Sequence, residues 1–383
     1  MRADDWNALD LGGRPFLRHE FLAAAERSRS ASPSTGWTPA HVVAEDAAGR
    51  LVGAMPLYRK DHSWGEFVFD FAWARAYEQH GVPYYPKLVA AVPFTPAAGP
   101  RLLVRPEVDR ENVRAALLAA ARGHAYASGA SSLHVLFPEE SERDWLARQG
   151  LLPRLDCQFH WRNGNFGDFE DFLATFTAEK RKKARRERRR VQEAGIEFVE
   201  LHGGDLDDGL LETVYALHAR TFLERGNPPY FTPEFFRELA DRLPGALMVK
   251  LGLLRGEPVA TAIFLRGADT LYGRYWGAAG DFHSLHFEAC YYQGIDYCIR
   301  EGLQRFEPGT QGEHKVARGF SPEAVWSLHE IFHPAFRAAV RDYLGRERDH
   351  MHAYMEAVRA HVPFRRAEPG ATLTLDVGRD LPE

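Results

Sequence analysis

The chain predicts an α/β (α+β) fold of two similar halves, each a mixed, mostly antiparallel sheet flanked by helices. Three observations carry this: a strand–turn–strand pattern that occurs twice, a helix leading into a short apolar strand in each half, and a length of 383 residues, long for one core. Residues 41–45 and 51–59 are strand-like around the turn Asp-Ala-Ala-Gly at 46–49, and 247–255 and 258–266 repeat this around Arg-Gly-Glu at 255–257. Gly-Arg-Leu-Val-Gly-Ala-Met-Pro-Leu at 49–57 runs parallel to Gly-Glu-Pro-Val-Ala-Thr-Ala-Ile-Phe at 256–264, as a duplication would leave it.

The helix of the first half spans 112–128, with Val113, Leu117, Ala120 and Ala121 on one side. Its counterpart spans 285–300, with Leu285, Ala289, Tyr292 and Ile299 near one face. Short strands follow at 133–137 and 303–306. Both helices read as crossovers, because a parallel strand pair needs one. Each half is therefore an antiparallel meander running into a βαβ unit.

Between the halves, Phe169, Phe172, Leu173 and Phe176 follow an i, i+3, i+4, i+7 spacing. Asp168 is placed to cap a helix there and Gly195 to stop it. Residues 335–361 read as one more amphipathic helix. The expected units are 1–166, a basic connecting helix at 167–195, 196–366, and a tail at 367–383.

Residues 180–190 hold nine cations and one anion, yet the whole chain carries 48 Lys+Arg against 53 Asp+Glu. Without that window the remainder is 39 against 52, a net charge of −13. An acidic protein that gathers its positive charge into one segment implies an anionic partner, or a local anionic surface of its own, at that place. Glu187, the only acid in the window, is too little to neutralise it along the helix. Lys180, Arg181, Lys183, Arg185, Arg186, Arg188 and Arg189 are the candidate polyanion contacts. Without interleaved aromatics they would read a phosphate backbone rather than bases.

Three cysteines (Cys157, Cys290, Cys298) give no metal-like spacing, and no metal site is expected. Residues 1–10 carry acids and no apolar run, and no stretch approaches 18 apolar residues. A cytoplasmic, disulfide-free protein without a transmembrane segment is the expectation.

The segment from Phe172 through the basic run to Ile196 resembles the interdomain helix of the FemAB-like branch of the GNAT acyltransferase superfamily, in which two GNAT-like domains sit in tandem. Residues 65–73 (Gly-Glu-Phe-Val-Phe-Asp-Phe-Ala-Trp), 84–87 (Tyr-Tyr-Pro-Lys), 285–292 (Leu-His-Phe-Glu-Ala-Cys-Tyr-Tyr) and 307–315 (Glu-Pro-Gly-Thr-Gln-Gly-Glu-His-Lys) are similar to a bacterial subfamily of peptidoglycan biosynthesis or recognition proteins. The resemblance spans nearly the whole chain and implies a tandem GNAT fold. It also implies relatives that move amino acids from aminoacyl-tRNA onto cell-wall precursors. One departure stands out. GNAT domains that use acetyl-CoA hold pyrophosphate on a Gly-rich loop before the crossover helix. Here residues 277–285 (Gly-Ala-Ala-Gly-Asp-Phe-His-Ser-Leu) lack a basic or Gln lead and carry Asp281, which speaks against ordinary CoA use. Residues 92–99 do not fit that loop either.

The turn at 307–318 directly follows the closing strand of the second half. Its two glycines and proline fix a sharp bend, and Gln311, Glu313, His314, Lys315 and Arg318 supply donors, an acid and a titratable base. Acyl transfer to an amine needs a proton acceptor and donors for the developing oxyanion. Glu313 or His314 suits the first role, and Lys315 or backbone N–H groups the second. Opposite this turn, alternation puts Tyr272, Arg274 and Trp276 on one face of a strand, with His286, Glu288 and Tyr292 on the next helix. An arginine among aromatics suits a phosphate or carboxylate beside a flat group. In the first half, Asp70, Trp73, Tyr77, His80, Tyr84, Tyr85 and Lys87 read as packing between the halves.

The expected activity is amide formation on an amine-bearing small molecule or cell-wall precursor, with aminoacyl-tRNA as donor and no tightly bound cofactor. Transfer from acyl-CoA or an acyl carrier is the enzymatic alternative. A non-catalytic GNAT scaffold that binds cell-wall fragments or polyanions is the other.

Overall fold

A computed structural model describes residues 1–310 and 312–365. The expected tail at 367–383 and Gln311 lie outside the described residues.

One eleven-stranded sheet runs through the molecule. In chain order its strands are β1 (Thr38–Pro39), β2 (Leu57–Lys60), β3 (Lys87–Ala90), β4 (Ser132–Leu136), β5 (Leu152–Arg162), β6 (Ile196–His202), β7 (Leu247–Leu254), β8 (Glu257–Arg266), β9 (Thr270–Ala278), β10 (Arg305–Glu307) and β11 (Ser321–Ile331). Their spatial order is β1-β2-β3-β4-β11-β5-β10-β9-β8-β7-β6. Each half is a meander ending in a parallel pair, β3 with β4 and β9 with β10, as in a GNAT-like domain. Two such units stand in tandem.

The halves exchange their last strands. β11, from the second half, pairs antiparallel with β4 of the first. β5, from the first half, pairs with β10 of the second, and β5 and β11 pair with each other over nine positions. Sheet pairing thus crosses the boundary that the sequence repeat suggests. The largest apolar cluster does so too, joining Phe16, Phe21 and Phe94 to Phe231, Phe235 and Tyr272.

The β7–β8 hairpin forms where the sequence places it. Arg255 and Gly256 at φ 55° and 85° close a two-residue turn of the kind that matches strand twist. The expected strand 51–59 is instead split at Pro56. Leu51–Met55 pairs with Val42–Glu45 in a separate three-stranded sheet, whereas β2 joins the main one. Proline has no N–H to offer a ladder, so the chain changes sheets there.

The helices that matter for the site are α1 (Arg110–Ala127), α2 (Phe169–Ala174), α3 (Ala178–Glu193), α4 (Asp208–Leu223), α5 (residues 285–300, with a π turn at Glu288–Tyr292) and α6 (Pro334–Arg359). Asp168 caps α2 by accepting from the Asp171 N–H (2.8 Å), and Gly195 at φ 76° ends α3. The single connecting helix expected from the sequence is two. Residues 175–177 leave the helix because residues 363–365 zip onto them: Thr177 N–H bonds to Pro363 O (2.8 Å) and Arg365 N–H to Thr175 O (2.9 Å). Among the described residues, no helix is long and apolar enough to cross a membrane.

Candidate active-site cleft

β9 and β10 stay paired for only three positions, Thr270–Arg305, Leu271–Phe306 and Tyr272–Glu307. Pro308 then turns away while β9 continues, and a cavity of about 490 Å³ opens in the gap. Gly273 sits at the fork, where a Cβ would stand 3.2 Å from the Pro308 Cα. α5 forms one wall and the 309–315 turn another. Gly312, at φ 114°, lets that turn fold under the His314 ring; a Cβ there would lie 2.3 Å from it.

A bulge decides what β9 presents. Ile263 faces Tyr275 but Phe264 faces Gly273, so Arg274 is the extra residue. The expected common face of Tyr272, Arg274 and Trp276 is therefore lost. Tyr272 and Tyr275 pack into the core shared with the first half, and Trp276 packs on the opposite side with α5. Arg274 reaches across to the first half, donating to Phe94 O at 2.5 Å, and lines the cavity on its way.

Lys315 is the most telling group in the cleft. It is 2% exposed, and its Nζ donates to Gly309 O at 2.7 Å. Among the described residues it has no carboxylate partner. Burial pushes its pKa down to about 7. His314 Nε2 lies 2.8 Å from the Tyr291 hydroxyl, and burial, then Lys315 and Arg318, hold its pKa below the usual imidazole value. Burial takes His286 down to about 4. His286 is therefore neutral at pH 7, and the two ring centroids lie 5.9 Å apart. Arg225, from the loop after α4, completes the lining. Among the described residues no carboxylate lines the cavity, and Arg225, Arg274 and Lys315 make it electropositive. Among the described residues, no cluster of His, Cys, Asp or Glu is placed to hold a metal ion.

Of the residues singled out by sequence, the structure brings Arg274, Trp276, His286, His314 and Lys315 together around the cavity. Others stand behind its walls. Tyr272 is buried and accepts from Arg14 (3.0 Å). Glu313 turns outward and accepts from the Tyr354 hydroxyl (2.9 Å). Arg318 and Tyr292 both bind Glu187, at 2.8 and 2.7 Å, in a buried network. Glu288 is buried against Arg188. None of these five faces the cavity. Arg225 and Tyr291 line it without having been singled out. The aromatic and polar residues of the first half are packing groups: Lys87 binds Ser63, Glu66 and Asp70 in the interior, and Tyr84 donates to Asp70 (2.6 Å). The strand fork of the first half is filled. The buried Arg101 guanidinium occupies it, donating to the carbonyls of Leu136, Ala97, Gly99 and Pro100.

The basic helix α3 is docked along one side. Ala184, Glu187 and Val191 are buried, and Arg188 is half-buried between them. Arg188 lies over the Phe169 ring and is neutralised by Glu288 and Asp296 at 3.1 and 3.2 Å. Its expected place on a polyanion surface is thus corrected, because acids a hundred residues away in sequence meet it. Glu187 likewise turns inward and leaves the surface cations unneutralised. Arg185 contacts Glu170, and Arg189 lies 3.4 Å from Glu193. Lys180, Arg181, Lys182, Lys183 and Arg186 have no carboxylate within ion-pair distance among the described residues. The Glu187–Arg318 pair ties this helix to the wall that carries Lys315.

Solved structures share this architecture. FemX matches with a TM-score of 0.51 and 12% identity over 84% of this chain and 93% of its own. L-PGS from Bacillus licheniformis matches at 0.50 and 11%, over 92% and 98%. A conserved protein of unknown function from Bacteroides thetaiotaomicron matches at 0.50 and 10%, over 86% and 97%. At such identities the likeness is one of fold. No curated protein matches the chain by sequence. A family model described as peptidoglycan biosynthesis/recognition matches residues 1–366, and the chain therefore belongs to the FemAB-like family.

Proposed function

We propose that the cleft between β9 and the 309–315 turn carries out amide-forming aminoacyl transfer onto an amine, from a donor whose phosphate-rich carrier lies on the outer face of α3. Family membership supports a role of the acyltransferase type. The observation that carries the chemistry is Lys315, a buried amine without a carboxylate partner in an electropositive cavity. Near pH 7 much of it is neutral, which suits a general base better than the far weaker base His286. The acceptor amine attacks the carbonyl carbon of the acyl ester. The new C–N bond forms, the C–O bond to the carrier breaks, and the amine proton passes through Lys315 Nζ to the departing carrier oxygen. Arg274 favours the negative charge that develops on the carbonyl oxygen.

Two features support an RNA carrier over CoA. The outward face of α3 presents Lys182, Lys183 and Arg186 to solvent. The first amide of α5, Leu285 N–H, is already taken by Phe282 O (3.2 Å), beside the exposed Asp281, so the helix start is poorly suited to pyrophosphate. Parallel binding measurements with aminoacyl-tRNA and CoA esters test the donor. A salt-sensitive tRNA complex, weakened by K182A/K183A/R186A, is expected; tight CoA-ester binding without RNA affinity would reverse the assignment. Lys315→Met should leave binding intact and lower turnover by about 10²–10⁴. Unchanged turnover would remove Lys315 from the mechanism.

A further inference from the structure

The loop at 61–71 inverts the usual partition of side chains. Beneath it, Lys60 and Lys87 are both 0% exposed, while Trp64 is 64% and Phe69 50% exposed above it. The lysines hold the loop from inside: Lys60 Nζ donates to Trp64 O (3.1 Å), and Lys87 Nζ to Ser63 Oγ and Glu66 (2.8 Å each) and to Asp70. Phe67 and Phe94 are held at φ 60° and 54°, unfavourable for bulky side chains. Two buried lysines and two strained backbones thus keep an aromatic lip open to solvent.

That lip borders the cleft. Chambers of about 470 and 420 Å³ continue outward from the inner cavity, sharing Arg225 with it and lined by Trp64, Phe69, Phe71, Phe222 and Tyr230. Among the described residues no carboxylate lines either chamber. Among the described residues, Arg225 has no ion-pair partner. The groove is therefore cationic at its inner end and mainly apolar outward, with Ser34, Thr35, His62 and Asn227 at its far end. The exposed rings lie tilted, Trp64 to Phe71 by 60° and Phe69 to Phe71 by 31°. The one stacked pair, Phe94 and Tyr230, is closed at 4.8 Å and leaves no slot for an intercalated ring. Such walls suit a flexible chain better than a flat group.

We propose that the outer groove is a subsite for an alkyl chain, and that the acceptor is a monomeric, amine-bearing anionic amphiphile whose anionic group lies on Arg225. This rests on the inner cavity being the reacting end.

Calorimetric titration with inorganic phosphate and with butyl, octyl and dodecyl phosphate, all below their micelle concentrations, tests it. Affinity should rise about fourfold per methylene until the groove is filled. W64A/F71A should abolish that rise and leave inorganic phosphate binding unchanged, since both side chains are solvent-exposed and phosphate alone has no chain to place on them. Affinity independent of chain length, or a rise that survives W64A/F71A, would overturn the subsite. So would phenyl phosphate binding as tightly as dodecyl phosphate, or a response to anionic vesicles without one to monomers. Short phosphates that bind without any chain effect would sink the subsite alone. Failure of every phosphate to bind would also remove the anion-binding reading of the inner cavity.

Discussion

Replacing Glu187 by alanine separates a docked basic helix from a solvated one. The carboxylate accepts from Arg318 Nη2 (2.8 Å), Arg318 Nε (3.1 Å) and the Tyr292 hydroxyl (2.7 Å). The two charged side chains are 7% and 4% exposed, so water screens the pair little. Without Glu187 the guanidinium stays buried above the Phe287 ring, with His314 O as its remaining acceptor at 2.6 Å. Stranding a buried charge in this way costs about 3–5 kcal/mol. If Glu187 were simply the lone acid on a cationic surface, its removal would cost no more than about 0.5 kcal/mol through added repulsion. Equilibrium urea unfolding of E187A reads the difference. The double variant E187Q/R318M, which removes both charges, should recover most of the loss. A change below about 1 kcal/mol in E187A would refute the docked arrangement of α3.

Other consequences are as direct. K182A/K183A/R186A should lower the slope of log affinity against log salt for tRNA by about 2–3, whereas R188A should act on stability, since Glu288 and Asp296 already hold Arg188; filter binding and unfolding measure the two. Burial keeps His134 and His160 at about 3 and His218 at about 4. These folded-state values lie below the unfolded value of about 6.5, so stability is complete above pH 6.5 and falls by up to about 1.4 kcal/mol per pH unit for each group as pH drops towards 4. Both His218 ring nitrogens lack a partner among Tyr215, Phe222, Phe236 and Tyr275. His218→Phe should therefore stabilise more at pH 5 than at pH 8 in unfolding curves taken at both. Gly277→Ala would set a Cβ 1.8 Å from Leu217 O and force α4 off β9; a loss of at least about 2 kcal/mol is expected, and an unchanged unfolding midpoint would contradict the packing.

The local grammar of this chain is legible and its long-range bookkeeping is not. The Arg255–Gly256 turn, the Asp168 cap and the Gly195 stop follow from backbone rules that act within a few residues. That the turn at 307–318 lines a cavity is legible because glycines, a proline and titratable groups follow a strand. The exchange of β5 and β11 was hidden, since strand partners far apart in sequence leave no periodic trace. The β9 bulge was hidden because alternation continues unbroken in the residue string while Arg274 adds one step in space. Counting charges along α3 missed that Glu187 and Arg188 turn inward, because Arg318, Glu288 and Asp296 lie a hundred or more residues away. Arg225 belongs to no pattern; its loop, Gly-Asn-Pro-Pro at 226–229, advertises only a turn.

The account depends most on Lys315 being an amine that loses its proton near neutrality inside the cleft. A ¹³C-lysine titration followed by NMR, with the K315M spectrum assigning the resonance, measures this directly. A midpoint close to pH 7 is predicted; a midpoint near 10, the value of a solvated lysine, would contradict it.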